Sequence, residues 1–370
     1  MTNVGVLTRL LALTAMERPR PSDVTGRLAK RGWKILRPFV GLAAVVLVFQ
    51  LYHWIEAPDR PFITYLRISF VAKQTAIVGM GALGMTVIII SGGIDLSVGS
   101  MLALCAVVFA SLLRGEPPVA ISDNAPWLAW LWQAYPVWLC ILFTLGIGAL
   151  AGAFNGLLIT SLRMMPFIIT LGMMMAYRGA AEWLADQSKI VIPRDAVPDR
   201  IASLMKTPGK WEWPFLCNGV WLVVALGILM AAVMRYTTFG RYTFAVGSNE
   251  TAARLSGLRI NQLKLAFYAV GGLFMALAGI LNFNELGNQG DPTTGVALEL
   301  DIIAAVVIGG GSLSGGRGSV IGSLIGALTM TTLRSGCVYA GVSDPVQKMV
   351  IGGIIIAAVA IDQYLHRKEG

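Results

Sequence analysis

The chain is built from apolar stretches of about 20 residues separated by polar turns, with neither the narrow stripe of a surface helix nor the alternation of a half-buried strand. A helix rising 1.5 Å per residue needs about 20 apolar residues to cross a hydrocarbon core of about 30 Å. Ten segments are predicted spans: residues 36–54, 72–91, 96–113, 136–161, 165–184, 219–235, 264–283, 300–312, 318–334 and 347–365. Residues 300–312 are too few to cross alone, which predicts a broken helix there or one reaching back towards Gly295, and leaves eight to ten spans. Only helices and closed barrels satisfy the backbone inside a bilayer, and barrel strands would alternate over short segments. The predicted fold is therefore an all-α polytopic transmembrane bundle.

Composition agrees. Of 370 residues, 56% are hydrophobic and 13% charged, with a mean hydropathy of +0.69; a soluble domain carries about 25% charged residues. The net charge of +9 sits mostly between apolar segments, where it reads as an orientation signal and argues against nucleic-acid binding. With ten spans and both termini inside, the cytoplasmic side holds 17 Lys/Arg against 6 acids and the outer side 12 against 14. This arrangement places a basic cytoplasmic tail at 1–35, whose apolar part (4–16) suits a helix on the membrane surface. The permease body then covers 36–366, with a basic cytoplasmic loop at 236–263 and a long outer loop at 185–218 carrying Pro193, Pro198, Pro208, Pro214, Trp211 and Trp213. Trp127, Trp130 and Trp132 mark a second outer boundary. Cys105 and Cys140 read as packing residues. Cys217 and Cys337 both fall on the outer side, where a disulfide could form. His53 and His366 are too far apart to suggest a metal site.

Two glycine-rich interruptions echo one another: residues 87–104 and 306–328 each run from an apolar stretch through a glycine cluster, Leu-Ser and glycine into a new apolar stretch. Transporters are often built from repeated halves with broken helices beside the substrate path, so internally repeated halves are expected. In the first interruption Gly92 and Gly93 permit an unwound backbone. Asp95 and Ser97 can satisfy its amides, with Asp95 either capping the next helix or lining and gating a path. Gly309, Gly310 and Gly311 open the second. Gly148, Gly152 and Gly156, and likewise Gly318, Gly322 and Gly326, recur every fourth residue and predict close helix packing; Asn155 beside the first set can hydrogen-bond across helices. Glu299 and Asp301 either complement a helix N-terminus or face the path. In the cytoplasmic loop, residues 249–255 predict a short helix capped by Ser248 or Asn249 and stopped by Gly257. Such a helix is a handle that another protein can push.

These motifs resemble those of the ribose-type ABC sugar permeases. The loop carries the family's A-V-G-x-N-x-x-A-A-x-x-S-G pattern at Ala245, Val246, Gly247, Asn249, Ala252, Ala253, Ser256 and Gly257, with Gly240 upstream. Residues 92–99 resemble its G-G-I-D-L-S-V-G segment, 166–172 another recurrent stretch, and 299–301 and 309–316 its late acidic and glycine-rich motifs. The similarity covers roughly residues 72–360. It implies a non-catalytic subunit of a bacterial inner-membrane importer for a monosaccharide such as ribose, xylose or galactose. It also implies a second permease copy or sister permease, separate ATPase subunits binding ATP and Mg, and a periplasmic sugar-binding protein. No cofactor would be held by this chain, and residues 245–257 would form the coupling helix docked on the ATPase. The chain itself has no phosphate-binding G-x-x-x-x-G-K-[ST] loop. The alternative is an ion-coupled secondary transporter, for which only Asp95 and Glu182 offer intramembrane or near-membrane acids and no span centre offers a histidine. An integral-membrane enzyme finds no nucleophile–base pair or metal cluster in the sequence.

Overall fold

The computed structural model describes residues 21–56, 58–124, 126–132, 135–207 and 216–367. The tail segment 4–16 and Pro208, Trp211, Trp213 and Pro214 of the outer loop lie outside the described residues. The architecture is all-α. The helices are α1 (Pro21–Glu56), α2 (Tyr65–Ile90), α3 (Val98–Arg114), the short α4 (Val119–Asn124), α5 (Val137–Leu162), α6 (Pro166–Leu184) and the one-turn α7 (Asp199–Ala202). They continue as α8 (Asn218–Tyr236), α9 (Thr238–Ser248), α10 (Glu250–Leu255), α11 (Ile260–Glu285), α12 (Leu298–Ile308), α13 (Val320–Tyr339) and α14 (Asp344–Arg367). Each of the ten predicted spans falls on one of these helices. Among the described residues, five of them (the 39–56 part of α1, and α2, α5, α8 and α11) are both long and apolar enough to cross a membrane.

Two central helices carry the core. From Ala76 to Ile90, α2 is buried on every side, and α11 packs against α5, α2 and α3. Bare backbone makes the closest of these contacts. A side-chain carbon added at Gly148 would meet the Gly272 carbonyl at 2.5 Å, one at Gly152 would overlap the Tyr268 carbonyl, and one at Gly156 would lie 2.8 Å from the Leu265 Cα. The four-residue glycine spacing therefore seats α5 on α11. The second series behaves differently. Gly322 and Gly326 press on Gly309 and the Ala305 carbonyl of α12, but Gly318 lies outside the helix, before the N-cap Ser319 whose hydroxyl accepts from the Gly322 amide at 3.3 Å.

The segment at 300–312 is a short helix followed by an unwound chain. With 11 residues α12 is about 16 Å long, half a membrane thickness. Its approach is extended: β2 (Gln289–Gly290) pairs antiparallel with β1 (Ile190–Val191) of the long loop, in register Ile190 to Gly290. The chain then runs back along α3: a side-chain carbon added at Gly290 would meet Val107 Cα at 3.0 Å, and one at Gly295 the Gly99 carbonyl at 2.6 Å. Helices α3 and α12 thus begin beside each other inside the bundle and run apart. Both are entered through non-helical chain, which is tolerated at membrane depth only where protein surrounds it.

Two expectations are corrected. Cys105, Cys140, Cys217 and Cys337 are all free and buried, so Cys217 and Cys337 are not bridged. Residues 238–248 form a helix rather than a loop. Its start is capped by Thr237 (Gly240 amide to Oγ1, 3.4 Å), and it buries Gly240, Thr243 and Val246 on one face. Its aromatic and β-branched content hid a helix that tertiary packing selects.

The α5–α11 contact predicts that Gly152→Leu abolishes recovery of monodisperse protein. Gly146→Ala, on the same helix with nothing within 4 Å, should leave the melting temperature unchanged or slightly raised. Size-exclusion profiles and thermal melts of the two variants check this.

Candidate functional site

The site is assembled from three neighbouring clusters. The first surrounds Asp95 in the unwound segment between α2 and α3. Ser97 donates to Asp95 Oδ1 from its backbone amide (2.8 Å) and its hydroxyl (2.6 Å). Asn155 Nδ2, reaching across from α5, donates to Asp95 Oδ2 (3.1 Å) and Ser97 Oγ (2.8 Å). The Tyr177 hydroxyl on α6 lies 3.0 Å from Asn155 Oδ1 and 2.8 Å from the Ala151 carbonyl, and the Tyr268 hydroxyl on α11 donates to the Ile94 carbonyl at 3.4 Å. Asp95, Ser97 and Asn155 are each at most 1% exposed, so these hydrogen bonds replace all contact with water. Among the described residues no cation pairs with Asp95, whose carboxyl oxygens are met by the Ser97 and Asn155 donors. Asp95 does not cap α3. The N-cap is Ser97, which makes no side-chain cap bond, and the carboxylate instead closes an Asx turn two residues onward. The same device recurs before α12, where Asp291 Oδ1 accepts from the Thr293 amide (2.9 Å) and hydroxyl (2.7 Å).

The second cluster lies where α3 and α12 begin. A side-chain carbon at Gly99 would overlap Glu299 Oε2 and the Gly295 carbonyl. Asp301 pairs with Arg334 of α13 at 3.0 Å, and Glu299 lies within electrostatic reach of Arg178. Both acids occupy the first turn of α12, where its dipole favours negative charge. Arg178 also donates to the carbonyls of Pro292 and Thr294 (2.6 Å to the latter), clamping the extended chain that feeds α12. Sequence reading missed Arg178, Arg334, Tyr177 and Tyr268. The signal available was an arginine inside a predicted span, at 178, which is costly unless paired.

The third cluster joins both glycine-rich breaks to the polar loop. The α2 and α12 ends share one capping geometry: Gly93 N to Ile88 O (2.9 Å) and Gly92 N to Ile89 O (2.9 Å), against Gly311 N to Val306 O (2.8 Å) and Gly310 N to Val307 O (2.9 Å). Gly92 (φ +82°) and Gly310 (φ +92°) take the left-handed turn this cap needs. The same cap closes α10 at Gly257, α11 at Gly287 and α13 at Gly341, so it does not by itself distinguish the two breaks. Their meeting does. The Gly316 amide donates to the Ile90 carbonyl (2.8 Å), Gly247 of α9 is seated on that same carbonyl, and a side-chain carbon added at Gly315 would meet the Gly247 carbonyl at 2.6 Å and Gly92 Cα at 3.0 Å. A cavity of about 200 Å³ opens here, lined in part by Gly92, Gly93, Gly247, Asn249, Lys264 and Tyr268.

The short helix α10 projects from this junction. Asn249, not Ser248, is its N-cap, accepting the Ala252 amide at 2.9 Å. Glu250 ties it to its own last turn and to α11, pairing with Arg254 (2.9 Å) and Lys264 (2.7 Å). Ala253 and Val246 are buried, whereas Ala245, Ala252, Ser256 and Gly257 are exposed. Leu255, 84% exposed, is an apolar side chain presented outward that the motif did not single out.

These features place the chain in a class: an all-α integral membrane protein with a half-length helix inside the bundle and a polar helix joined to the two glycine-rich breaks. The family described as branched-chain amino acid transport system / permease component matches over residues 67–359, and the chain belongs to that family. It is a permease component, a transport subunit and not an enzyme. It is 37% identical to the ribose import permease protein RbsC of Bacillus subtilis (strain 168), covering 89% of this chain and 92% of that protein. To the xylose transport system permease protein XylH of Escherichia coli (strain K12) it is 33% identical, over 90% and 93% of the two chains. No solved structure matches.

Two outcomes follow. Replacing Asn155 by Leu strands the Asp95 carboxylate and should cost about 1–3 kcal/mol, while adding Asp95→Asn to that variant should recover part of the loss; thermal melts of the single and double variants measure both. Around Glu250, burial pushes the carboxyl up, but hydrogen bonds from Lys264 and Arg254 outweigh it and hold it below its ordinary 4.5. A carboxyl lowered on folding contributes stability present above its unfolded value and lost as pH falls through the folded one. A spin label at Ala252→Cys should therefore gain mobility below pH 4.5, and Glu250→Gln should make that mobility high and flat with pH.

Proposed function

We propose that the chain is the membrane-spanning permease subunit of a binding-protein-dependent ABC importer carrying a monosaccharide such as ribose or xylose. A separate ATPase subunit binds and hydrolyses ATP with Mg, and a periplasmic sugar-binding protein delivers the cargo. The identity to ribose and xylose permeases over nine-tenths of the chain supports the cargo class. The observation that carries the mechanism is the junction at which Gly247, one residue before the lever's first flank, touches both unwound breaks.

In this reading residues 1–35 form a cytoplasmic tail and 36–366 the permease body in the inner membrane, with both termini cytoplasmic. All ten long or half-length helices contribute to the spanning bundle, in internally repeated halves, and two permeases complete the path. The loop 236–263 faces the cytoplasm, because it is basic and lies at the opposite end of the bundle from the β1–β2 pair. Helix α10 docks on the ATPase through Ala252, Leu255 and Ser256. Closure of the ATPase pair tilts it, and the Gly247 contact passes the tilt to Ile90 and Gly315 together. Helices α3 and α12, held by Asp95–Asn155 and by Arg178, then exchange inward-open for outward-open states. Asp95 is fully engaged by neutral donors, which suits a structural post better than an ion-binding acid.

Reconstitution of the chain with a sugar-importer ATPase subunit and a sugar-binding protein tests this reading. Sugar-loaded binding protein should stimulate ATP hydrolysis, and Ala252→Asp or Leu255→Glu should cut that stimulation at least about tenfold while membrane insertion persists; each exposed position can change without disturbing the core. Gly247→Trp would instead break the junction, since even one added carbon overlaps the Ile90 carbonyl. Sugar uptake by the chain without an ATPase would contradict the proposal.

A further inference from the structure

At the end of the bundle opposite the glycine junction lies a cavity of about 360 Å³, within the size of small-molecule sites. It opens between α1, α2 and α13 and is walled by Leu42, Val46, Phe62, Ile68 and Val71, with Arg67 at its rim. Among the described residues, the only other polar side chain lining it, Thr332, spends its hydroxyl on the Leu328 carbonyl (2.7 Å).

Arg67 sits in the first turn of α2, where the helix dipole is also positive. Its guanidinium lies over two rings, 4.2 Å from the Tyr339 centroid and 5.3 Å from that of Phe62. Those stacking contacts fix its position but satisfy none of its in-plane N–H groups. Nη1 is buried without a hydrogen-bond partner, and among the described residues no carboxylate pairs with Arg67. A charged guanidinium beside an apolar wall calls for an anion carrying an apolar tail. In a membrane-embedded chain that combination is a lipid: the phosphate matches the planar N–H fork and an acyl chain matches the wall.

We propose that this groove is a binding site for an anionic glycerophospholipid, its phosphate held by Arg67 and one acyl chain lying along Leu42, Val46, Phe62 and Val71. The bound lipid fastens α1, which is otherwise little buried against the bundle, to α2 and α13. The site is independent of the cargo and of the ATPase docking helix.

Native mass spectrometry of the delipidated full chain tests this. The chain is titrated with dioleoylphosphatidylglycerol, with dioleoylglycerol, which lacks the phosphate, and with the first lipid in millimolar inorganic phosphate. One phosphatidylglycerol should bind per chain about tenfold more tightly than dioleoylglycerol, and free phosphate should not displace it. Arg67→Gln should reduce the phospholipid to the affinity of dioleoylglycerol. Val71→Phe, which fills the groove and leaves the cation in place, should weaken both lipids, and it decides the matter if the Arg67 variant fails to fold. Equal binding of the two lipids, displacement by inorganic phosphate, unchanged phospholipid binding in Val71→Phe, or loss of the lipid when two chains associate would each overturn the proposal.

Discussion

One carbonyl organises the functional half of this molecule. The Ile90 oxygen, left over at the end of α2, accepts the Gly316 amide at 2.8 Å and has Gly247 pressed directly against it. A helix end inside a membrane protein must find partners for such groups. Here the partners come from two other parts of the chain, so satisfying one backbone group ties α2, the α9–α10 lever and the chain after α12 into one knot. The contacts are backbone to backbone, which leaves no side chain to flex. Displacement of any one of the three elements is felt by the other two, because close-packed interiors transmit small shifts rather than absorbing them.

Above the knot, two helices begin side by side. α3 and α12 each begin inside the bundle after an unwound approach, and each approach is pinned by an Asx turn, at Asp95 and at Asp291. Arg178 holds the second approach by its carbonyls, and Asn155 holds the first by its carboxylate. Elements entered through short extended segments can pivot about them while their own hydrogen bonds stay intact. A transport subunit of this family needs that property if it is to open on one side and then the other.

Much of this was legible beforehand, for identifiable reasons. All ten helices that match predicted spans announce themselves because hydrocarbon tolerates so few polar residues. The half-length of α12 was visible as an apolar run too short to cross. Asn249 and Gly257 marked α10 because caps and stops obey local rules. What stayed hidden depends on tertiary partners. Helix α9 reads as a loop until Gly240, Thr243 and Val246 find a surface to bury against. Helix α2 begins at Tyr65 rather than 72, since Arg67 breaks the apolar window although it stacks on aromatic rings in the folded chain. Asp95 looked like a cap because Asp-x-Ser before an apolar run is a capping signature; only the structure separates a turn closed at Ser97 from a helix capped by it. The disulfide suggested by Cys217 and Cys337 lapsed because sidedness is a weak guide to distance.

The central claim is that the lever and both breaks move as one body, and distances between spin labels test it most directly. Labels at Ala252→Cys on α10, Ser314→Cys in the second break and Val338→Cys at the far end of α13 all sit on exposed positions. With the ATPase bound, addition of nucleotide should leave the 252–314 distance unchanged while the 252–338 distance shifts. A 252–314 distance that changes while 314–338 stays fixed would mean that the lever slips over the junction, and the account would be wrong.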